Sequence, residues 1–546
     1  MRLVDFLDYS LALSDCQSNT GPATYGAGAG RRRGFHDLDN NHFMTYQEMV
    51  NASVHIAAVL RQKGVGSQDI IATYMPNSVA AYCCIFAISR IGAVWLPLNV
   101  RNTLDANLQL IDKSDASMLF LDERIAVKHP ELIDYLGKDH SIFLDGQQIA
   151  GLAFSSLVET PVDHQKIVGI DSFGQEGVPE NSLENVTVSL FATGGTTGDS
   201  KLAEWSDLTW QTIADIQQQL MPEADIPSCY LVAAPMTHAA GIASFTAVLQ
   251  GASIVVMDGM VPERLLSVIE SYRVTQMFLP PTAVYMLLAH DSVKQYDYSS
   301  LRYFWYAAAP MSVEKLKEAM AIFGPVMVQT YGQAEAPMSC TFLSAQDHLL
   351  ALETNDSSIL RSCGKVAPFV ELAILDDEGN KLPQGQEGEV AVKGNLLMAG
   401  YYKNPEATSA IRENGWQRTG DVGVLNEKGY LAIVDRKKDM IISGGFNVYP
   451  SEIEQVIWGL PEIKDCAVIG LPDEKWGEQV TAVVELKNPE TVPDEQKIIQ
   501  HCKNKLGSVK APKQVLFWDK LPRSPVGKVL KKEIRKFFWG EQGRKI

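Results

Sequence analysis

Short apolar runs and longer amphipathic stretches alternate along most of the chain. Runs such as Ile70–Met75 and Cys229–Met236 are uncharged and rich in β-branched or aromatic residues, which is typical of buried strands. Stretches such as Val261–Arg273 and Pro281–His290 space their apolar residues at helical intervals. Strands and helices in alternation predict an α/β fold with mainly parallel sheets.

The longest apolar region, Val79–Val100, is interrupted by Arg90, Gly92 and Pro97. These interruptions predict a buried helix followed by a strand, not a membrane span. The N-terminal stretch Met1–Asp15 has aspartates inside its apolar run, so it lacks the uninterrupted core of a signal peptide. We therefore expect no integral membrane segment and a cytoplasmic location, which the eight scattered cysteines without a C-x-x-C pair also favour.

The sequence pattern changes at Val434–Glu454, where a charged run meets a glycine pair and a shorter α/β pattern begins. We expect a large N-terminal α/β part with several subdomains over residues 1–434 and a hinge over residues 435–440. A small, mobile α+β domain over residues 441–546 then follows, and its length is typical of a small domain.

The net charge limits the class of partner. A formal charge of −17 argues against nucleic acid, because a negative field repels phosphate polyanions. A local basic patch can still bind a small anion. We expect small-molecule partners, and both a monomer and a homodimer stay open.

The loop Thr193–Lys201, with the sequence TGGTTGDSK, follows the apolar run Val186–Ala192. Its glycines let backbone N–H groups turn inward, and its hydroxyl side chains can donate to phosphate oxygens. It is not a Walker A loop, because Lys201 follows Ser200 rather than a glycine. The loop alone is either a phosphate-binding element or a polar surface turn.

Later segments favour phosphate binding when they are taken together with the loop. They are QTYGQAEAPM at Gln329–Met338, RTGDVG at Arg418–Gly423, the segment Val434–Glu454, and LPRSPVGKVLKKEI at Leu521–Ile534. In this order and spacing, the five segments resemble the motifs of the adenylate-forming superfamily, and weaker agreement runs from Met44 to the end of the chain. The chain is identified as a member of this superfamily, in its acyl-CoA synthetase branch.

The resemblance implies a two-step reaction. A carboxylic acid reacts with ATP to give an acyl-adenylate and pyrophosphate, and the thiol of coenzyme A then displaces AMP to give acyl-CoA. The task of the protein is then mainly charge neutralisation and positioning. By resemblance, the residues that bind ATP or AMP are Thr193, Gly194, Gly195, Thr196, Thr197, Gly198, Lys201, Ala308, Ala309, Pro310, Gln329, Thr330, Tyr331, Gly332, Glu335, Asp421, Arg436 and Lys528.

The resemblance also assigns a metal site. A carboxylate that faces a triphosphate would repel it, so Glu335 is expected to hold Mg²⁺, together with Thr196. The chain departs from the family pattern at Ala334, where a threonine or serine normally donates a hydroxyl to the α-phosphate. One neutral hydrogen bond of about 0.5–1.5 kcal/mol is thereby lost. In the phosphate loop, Ser200 and Leu202 replace the usual proline and glycine.

Other motifs assign the nucleoside contacts. Asp421 resembles the acid that accepts from both ribose hydroxyls, a role that suits a fixed carboxylate. Arg436 resembles the arginine that also reaches the ribose. Ala307–Met311 resembles the adenine-binding turn, with close packing of small residues as the alternative.

The C-terminal motifs carry the second step. Lys528 resembles the catalytic lysine that reaches the α-phosphate and the substrate carboxylate, whereas Lys531 and Lys532 are expected to be solvated helix charges. Lys438 resembles the residue about which the C-terminal domain turns between the steps. The glycine loop after it resembles the coenzyme A tunnel, with the residues Gly444, Gly445 and Phe446.

His238, Ala240 and Gly241 resemble the family's acyl-pocket segment, with His238 at the mouth of the pocket as a catalytic or lining residue. The surrounding segment Ala234–Val248 contains no acid that could pair with a substrate ammonium. We therefore expect a carboxylic acid with an uncharged, apolar tail. A non-catalytic acyl-nucleotide binding protein, an amino-acid adenylation enzyme and a luciferase-type enzyme are the alternatives.

Overall fold

The structure is a computed structural model. It describes residues 3–17, 33–136, 141–144, 148–149, 152–153, 186–193, 200–221, 228–473, 476–524 and 529–539. The phosphate-loop residues Gly194, Gly195, Thr196, Thr197 and Gly198 lie outside the described residues, as does Lys528.

The first large sheet has a parallel centre and antiparallel edges. In spatial order its described strands are Lys365–Val366, Ala336–Leu343, Met327–Gln333, Tyr303–Tyr306, Gln276–Phe278, Cys229–Val232, Ser253–Val256, Phe35–Asp37 and His42–Met44. Helices follow the central strands, because parallel neighbours need a crossover connection.

The second large sheet also has a parallel centre and antiparallel edges. In spatial order its described strands are Gly400–Tyr401, Leu202–Ser206, Thr187–Ala192, Val94–Leu98, Ile70–Tyr74, Met118–Asp122, Ser141–Leu144, Gln148–Ile149 and Leu152–Ala153. The strand Leu202–Ser206, which the sequence pattern did not indicate, pairs antiparallel with Thr187–Ala192. The phosphate-loop segment therefore connects two paired strands rather than a strand and a helix.

Two smaller sheets complete the chain, and both are mainly antiparallel. The third sheet contains Val370–Leu375, Glu387–Gly394, Arg412–Glu413, Trp416–Leu425 and Leu431–Arg436. The fourth contains Ile441–Ser443, Phe446–Val448, Ile463–Asp473, Gly477–Leu486 and Gln514–Phe517. The prediction of mainly parallel pairing thus holds for the centres of the two large sheets only.

Helices cover the sheets. The described helices are Leu3–Gln17, Tyr46–Gln62, Val79–Arg90, Leu104–Ser114, Glu123–Lys128, Glu131–Leu136, Asp207–Leu220, Ala239–Leu249, Pro262–Tyr272, Pro281–Leu288, Val313–Phe323, Ala345–Glu353, Ser357–Leu360, Pro405–Ser409, Pro450–Trp458, Glu495–Lys510 and Lys531–Trp539. The helix Val79–Arg90 and the strand Val94–Leu98 appear where the interrupted apolar region predicted them. Within the described residues, no helix is long and apolar enough to cross a membrane.

The buried core changes at Ile441. One large apolar cluster joins the two large sheets, and a separate cluster begins with Ile441 and Val448. At the centre of the large cluster, Phe191 stacks on Trp205 with ring centroids 3.8 Å apart. This packing fixes the strand Leu202–Ser206, which leads directly into the candidate site.

Candidate active site

A tight β-hairpin positions Glu335. The strands Met327–Gln333 and Ala336–Leu343 are antiparallel, and Gln333 pairs with Ala336, so Ala334 and Glu335 form the turn. A β-carbon on Gly332 would lie only 2.7 Å from the backbone nitrogen of Met338, so the backbone needs glycine there.

Donors from distant parts of the chain hold this turn. The indole N–H of Trp205 donates to the carbonyl of Ala334 at 2.7 Å. The side-chain amide of Gln417 and the backbone N–H of Met398 donate to the carbonyl of Glu335 at 2.7 and 3.0 Å. The side chains of the turn therefore project from a fixed backbone.

Tyr401 connects Glu335 with Lys201. The Tyr401 hydroxyl donates to Oε1 of Glu335 at 2.7 Å, and the Lys201 ammonium lies 4.5 Å from the centre of the Tyr401 ring. Burial, followed by the charge of Glu335, raises the pKa of Tyr401, so the phenol keeps its proton. Sequence reasoning missed Tyr401, because only the pairing of Gly400–Tyr401 with the strand Leu202–Ser206 brings it here.

The two ends of the phosphate loop meet. The backbone N–H of Thr193 donates to the carbonyl of Lys201 at 2.8 Å, and the N–H of Lys201 donates to the Thr193 hydroxyl at 3.2 Å. The Lys113 ammonium donates to the carbonyl of Ser200 at 3.1 Å. Thr193 and Lys201 therefore lie side by side, on the same strand pair that approaches Glu335 through Tyr401.

Asp421 is held between two predicted site residues. Its Oδ1 lies 2.5 Å from Nε of Arg436, and its Oδ2 accepts the Tyr331 hydroxyl at 2.6 Å. Asp421 is buried, and burial with the charge of Asp421 raises the pKa of Tyr331 well above its usual range. A carboxylate has about four lone-pair sites, so Asp421 has the capacity to accept further hydrogen bonds beside these two.

The predicted adenine turn lies beside the same hairpin. The strands Tyr303–Tyr306 and Met327–Gln333 are parallel neighbours, and Tyr306 pairs with Gln329. Residues 307–310 therefore leave the carboxyl end of one strand beside residues 330–332 of the neighbouring strand, at the edge where ligands of open α/β sheets bind. Ala308 has a φ of +74°, a left-handed conformation that favours glycine.

Thr330 has a structural environment. Its side chain is buried, and its hydroxyl donates to the backbone carbonyls of Met338 and Thr341, the latter at 3.2 Å. These bonds stabilise the hairpin that carries Glu335. The contacts of Thr330 in the structure are thus with the hairpin itself. Its expected contact with the nucleotide stays a prediction.

His238 is the N-cap residue of the helix Ala239–Leu249. Burial, with a smaller contribution from Arg101, lowers the pKa of His238 to about 4, so its imidazole is neutral at pH 7. The amide oxygen of Asn99 accepts the Arg101 N–H at 2.9 Å, so the Asn99 amide nitrogen faces Nε2 of His238, also at 2.9 Å. Nε2 is therefore an acceptor, and the imidazole proton is on Nδ1.

Ala240 and Gly241 lie in the first turn of the same helix and are buried. A β-carbon on Gly241 would lie 1.8 Å from the carbonyl oxygen of Met236. A larger residue at position 241 would therefore disrupt the backbone rather than narrow a cavity. The acyl-pocket role of Ala240 and Gly241 stays a prediction.

Hydrogen bonds cross the expected hinge. Asp435 accepts the N–H of Ser451 at 2.8 Å, and the Ser451 hydroxyl donates to the carbonyl of Val434. Ser451 lies in the first turn of the helix Pro450–Trp458, whose N-cap residue, Tyr449, makes no side-chain capping bond. Asp435 thus caps this helix from the strand Leu431–Arg436.

The C-terminal helix is tied to the hinge and to its own domain by ion pairs. Arg535 pairs with Asp439, and the Lys531 ammonium lies 2.9 Å from the Glu454 carboxylate. The expectation that Lys531 is a solvated charge is therefore wrong, because helix packing places its side chain against a buried acid. The neighbouring Lys438 lies in a 3₁₀ turn, Lys437–Asp439, and its side chain is exposed.

Gly444 and Gly445 form the two-residue turn between Ile441–Ser443 and Phe446–Val448. Their φ angles of +59° and +82° fit a type I′ hairpin turn, which requires this backbone at both positions. A β-carbon on Gly445 would meet nothing within 4 Å, and Phe446 is exposed. Turn geometry alone therefore accounts for the glycine pair, and the role of these residues toward coenzyme A stays a prediction.

A metal cage made only of protein groups is absent from the described part of the chain, where no cluster of three His, Cys, Asp or Glu residues occurs. Mg²⁺ commonly uses one or two carboxylates and completes its shell with phosphate oxygens and water. Glu335 fits this pattern: the described residues engage its Oε1 through Tyr401 and give Oε2 no hydrogen bond. The donor set is therefore compatible with a metal carried by a nucleotide.

Two family models match the chain. The AMP-binding enzyme model matches residues 26–402, and the model of the AMP-binding enzyme C-terminal domain matches residues 452–528. The chain belongs to the AMP-binding enzyme family. The expected hinge lies in the interval between the two matches, and the domain bounds themselves stay predictions.

Relatives of this AMP-binding enzyme include a fatty-acid–CoA ligase and a feruloyl-CoA synthase. It is 39% identical over 368 residues to a medium/long-chain-fatty-acid–CoA ligase from Mycobacterium tuberculosis, a match that spans 66% of this chain and 62% of that protein. It is 32% identical to a feruloyl-CoA synthase from Amycolatopsis, with 91% of this chain and 94% of that protein covered. Among solved structures, the amide bond synthetase McbA from Marinactinospora thermotolerans matches with a TM-score of 0.81 and 25% identity, covering 98% of this chain and 100% of that one.

Several predictions from the sequence are thereby confirmed. They are the adenylate-forming superfamily with its acyl-CoA synthetase branch, the α/β fold with a small C-terminal domain, and the assignment as an AMP-forming acid–thiol ligase. Use of ATP and coenzyme A follows from the same family membership.

Proposed function

We propose that this enzyme activates a carboxylic acid with an apolar, uncharged tail as its acyl-adenylate and transfers the acyl group to coenzyme A. The observation that carries the substrate class is the helix Ala239–Leu249, whose side chains from Ala240 onward are buried and include no charged group. The preceding His238 is neutral at pH 7. A substrate ammonium would have no counter-charge on this segment. Two relatives are named for acyl groups that agree with this class, one for medium- and long-chain fatty acids and one for the feruloyl group.

The site residues take the following roles. Asp421, oriented by Arg436 and Tyr331, accepts the ribose hydroxyls. The turn at residues 307–310 lies against the adenine, and Lys201 and Lys528 offset the charge of the phosphates. Glu335 would hold Mg²⁺, which supplies neutralisation of phosphate charge when it is bound. Positioning and charge compensation then lower the barrier to attack by the substrate carboxylate.

The deciding experiment is a pyrophosphate-release screen over a panel of acids, each with and without coenzyme A. Straight-chain fatty, alicyclic and hydroxycinnamic acids should release pyrophosphate, and coenzyme A should convert the adenylate to a thioester. A parallel series with amines replacing coenzyme A tests the acceptor, because a structural neighbour is an amide bond synthetase.

The alternatives give different results in this screen. Activity confined to amino acids would overturn the proposed substrate class. Thioester formation outpaced by amide formation would overturn coenzyme A as the acceptor. Tight ATP binding without pyrophosphate release for any acid would favour a non-catalytic binding protein, and light emission with oxygen would favour the luciferase type.

A further inference from the structure

Tyr401 lies between two groups, Glu335 and Lys201, that the proposed function places beside the triphosphate. Its hydroxyl binds the Glu335 carboxylate at 2.7 Å, and the face of its ring lies 4.5 Å from the Lys201 ammonium. The hydroxyl and the ring make different kinds of interaction, because the hydroxyl donates a hydrogen bond and the ring face attracts a cation.

The backbone around Tyr401 is fixed independently of its side chain. Ala203 pairs with Tyr401 across two antiparallel strands, and the Tyr401 N–H donates to the Thr408 hydroxyl at 2.9 Å. The Glu335 turn is held by Trp205, Gln417 and Met398, also without help from the phenol. The phenol hydroxyl is therefore not needed to hold either segment in place.

The hydroxyl instead restricts the Glu335 side chain. An unrestrained glutamate loses about 1.5–2 kcal/mol of rotamer freedom when it is fixed. By binding Oε1, Tyr401 fixes the carboxylate before a ligand arrives, while the described residues give Oε2 no hydrogen bond. Partners of this kind, one step removed from a metal, typically alter metal affinity about 10- to 100-fold when they are mutated.

We propose that Tyr401 is a positioning residue that presents the Glu335 carboxylate to nucleotide-bound Mg²⁺ and, through its ring, holds Lys201 beside the phosphates. The inference rests on the proposed function, since it assumes that ATP binds at this hairpin. It assigns the Glu335 contact to the hydroxyl and the Lys201 contact to the ring. Removing the hydroxyl alone should therefore have a different effect on ATP binding from removing the hydroxyl and the ring together.

The test is calorimetric titration of the full-length protein with ATP at a series of Mg²⁺ concentrations, without acid, so that no turnover occurs. Tyr401→Phe should raise the Mg²⁺ concentration for half-maximal ATP binding about tenfold. Its ATP affinity at saturating Mg²⁺ should stay close to wild type. Tyr401→Leu, which also removes the ring, should weaken ATP binding about fivefold even at saturating Mg²⁺.

Tyr402→Phe is the matched control, because it makes the same chemical change one residue away, where the ring contacts Lys403 instead. It should behave as wild type. A Tyr401→Phe protein with the Mg²⁺ dependence of the control would overturn the inference. So would a lowered melting temperature with weaker binding at every Mg²⁺ concentration, which would indicate a structural role. If the wild type makes acyl-adenylate and only the Tyr401 result fails, the proposed function still stands. If the wild type binds no ATP, both fail.

Discussion

Asp421 and Arg436 face each other directly across two antiparallel strands, and their side chains are joined at 2.5 Å. Arg436 is the last residue of its strand and adjoins the 3₁₀ turn with Lys438. The group expected to hold the ribose is thus bonded to a residue inside the expected hinge, which spans residues 435–440.

Asp421→Asn should weaken AMP binding about 10- to 100-fold, because hydrogen bonds to a charged acceptor are lost and the amide cannot accept on both sides. Equilibrium binding of AMP measures this. Asp376→Asn, in an exposed turn where the side chain accepts from Asn380, is the control and should bind AMP normally. Equal affinities for the two variants would remove Asp421 from the nucleotide site.

Ala334→Thr should tighten ATP binding or speed adenylate formation up to about tenfold by adding one hydroxyl donor. The Ala334 carbonyl is bonded to Trp205, so the added side chain projects from a fixed turn. Ala334→Val has nearly the same shape without the hydroxyl, and should show no gain. A gain shared by both variants would indicate packing rather than a contact with the α-phosphate.

Lys528→Ala and Gly445→Leu should separate the two half-reactions. Lys528→Ala should fail to form acyl-adenylate yet convert supplied acyl-adenylate to thioester. Gly445→Leu should form acyl-adenylate but fail to convert it to thioester. Because position 445 has a φ of +82°, Gly445→Ala is needed to control for backbone strain. Single-turnover kinetics of each half-reaction decide the matter, and parallel losses in both steps would argue against domain alternation.

His348 should make the protein sensitive to acid. It is fully buried, and burial lowers its pKa to about 4, against about 6.5 when unfolded. The unfolded chain binds a proton between these values and the folded chain does not, so up to about 3 kcal/mol of stability is lost as the pH falls from about 6.5 to 4. His348→Gln should flatten the pH dependence of the urea midpoint in this window, and an unchanged slope would contradict the assignment.

Lys531→Met should lower the free energy of unfolding by about 3–5 kcal/mol, because it leaves the Glu454 carboxylate buried and unpaired. The double variant Lys531→Met with Glu454→Gln should recover much of this loss, since the amide can still accept the Val468 N–H that Glu454 accepts at 2.7 Å. Chemical denaturation of the three proteins measures the effect. No difference between the single and double variants would contradict a coupled pair.

Local patterns in the sequence were sufficient for the central strands and for many helices. The boundary between Val79–Arg90 and Val94–Leu98 followed from the positions of Arg90 and Gly92, which separate two apolar runs in a way that depends on near neighbours alone. Pro97 does not end the strand but lies inside it, in register with Thr73. The motifs also indicated most of the candidate site, since each motif is local in sequence.

Features that depend on distant pairing were missed. Nothing near Tyr401 marks it as a partner of Glu335, and the contact exists only because the strand Gly400–Tyr401 pairs with Leu202–Ser206. Lys531 looked solvated for a similar reason. Its charge pattern fits an exposed helix face, but the acid that pairs with it, Glu454, lies on another helix.

The cap that Asp435 provides to the helix Pro450–Trp458 has an energetic consequence for domain motion. If the C-terminal domain turns about Lys438, Arg535 and Asp439 travel together, whereas Ser451 must leave Asp435 and Val434. Two hydrogen bonds contribute about 1–3 kcal/mol, a bias of about 5- to 150-fold in population toward the present arrangement. The ligand that drives the turn must therefore bind the turned arrangement more tightly by at least that factor.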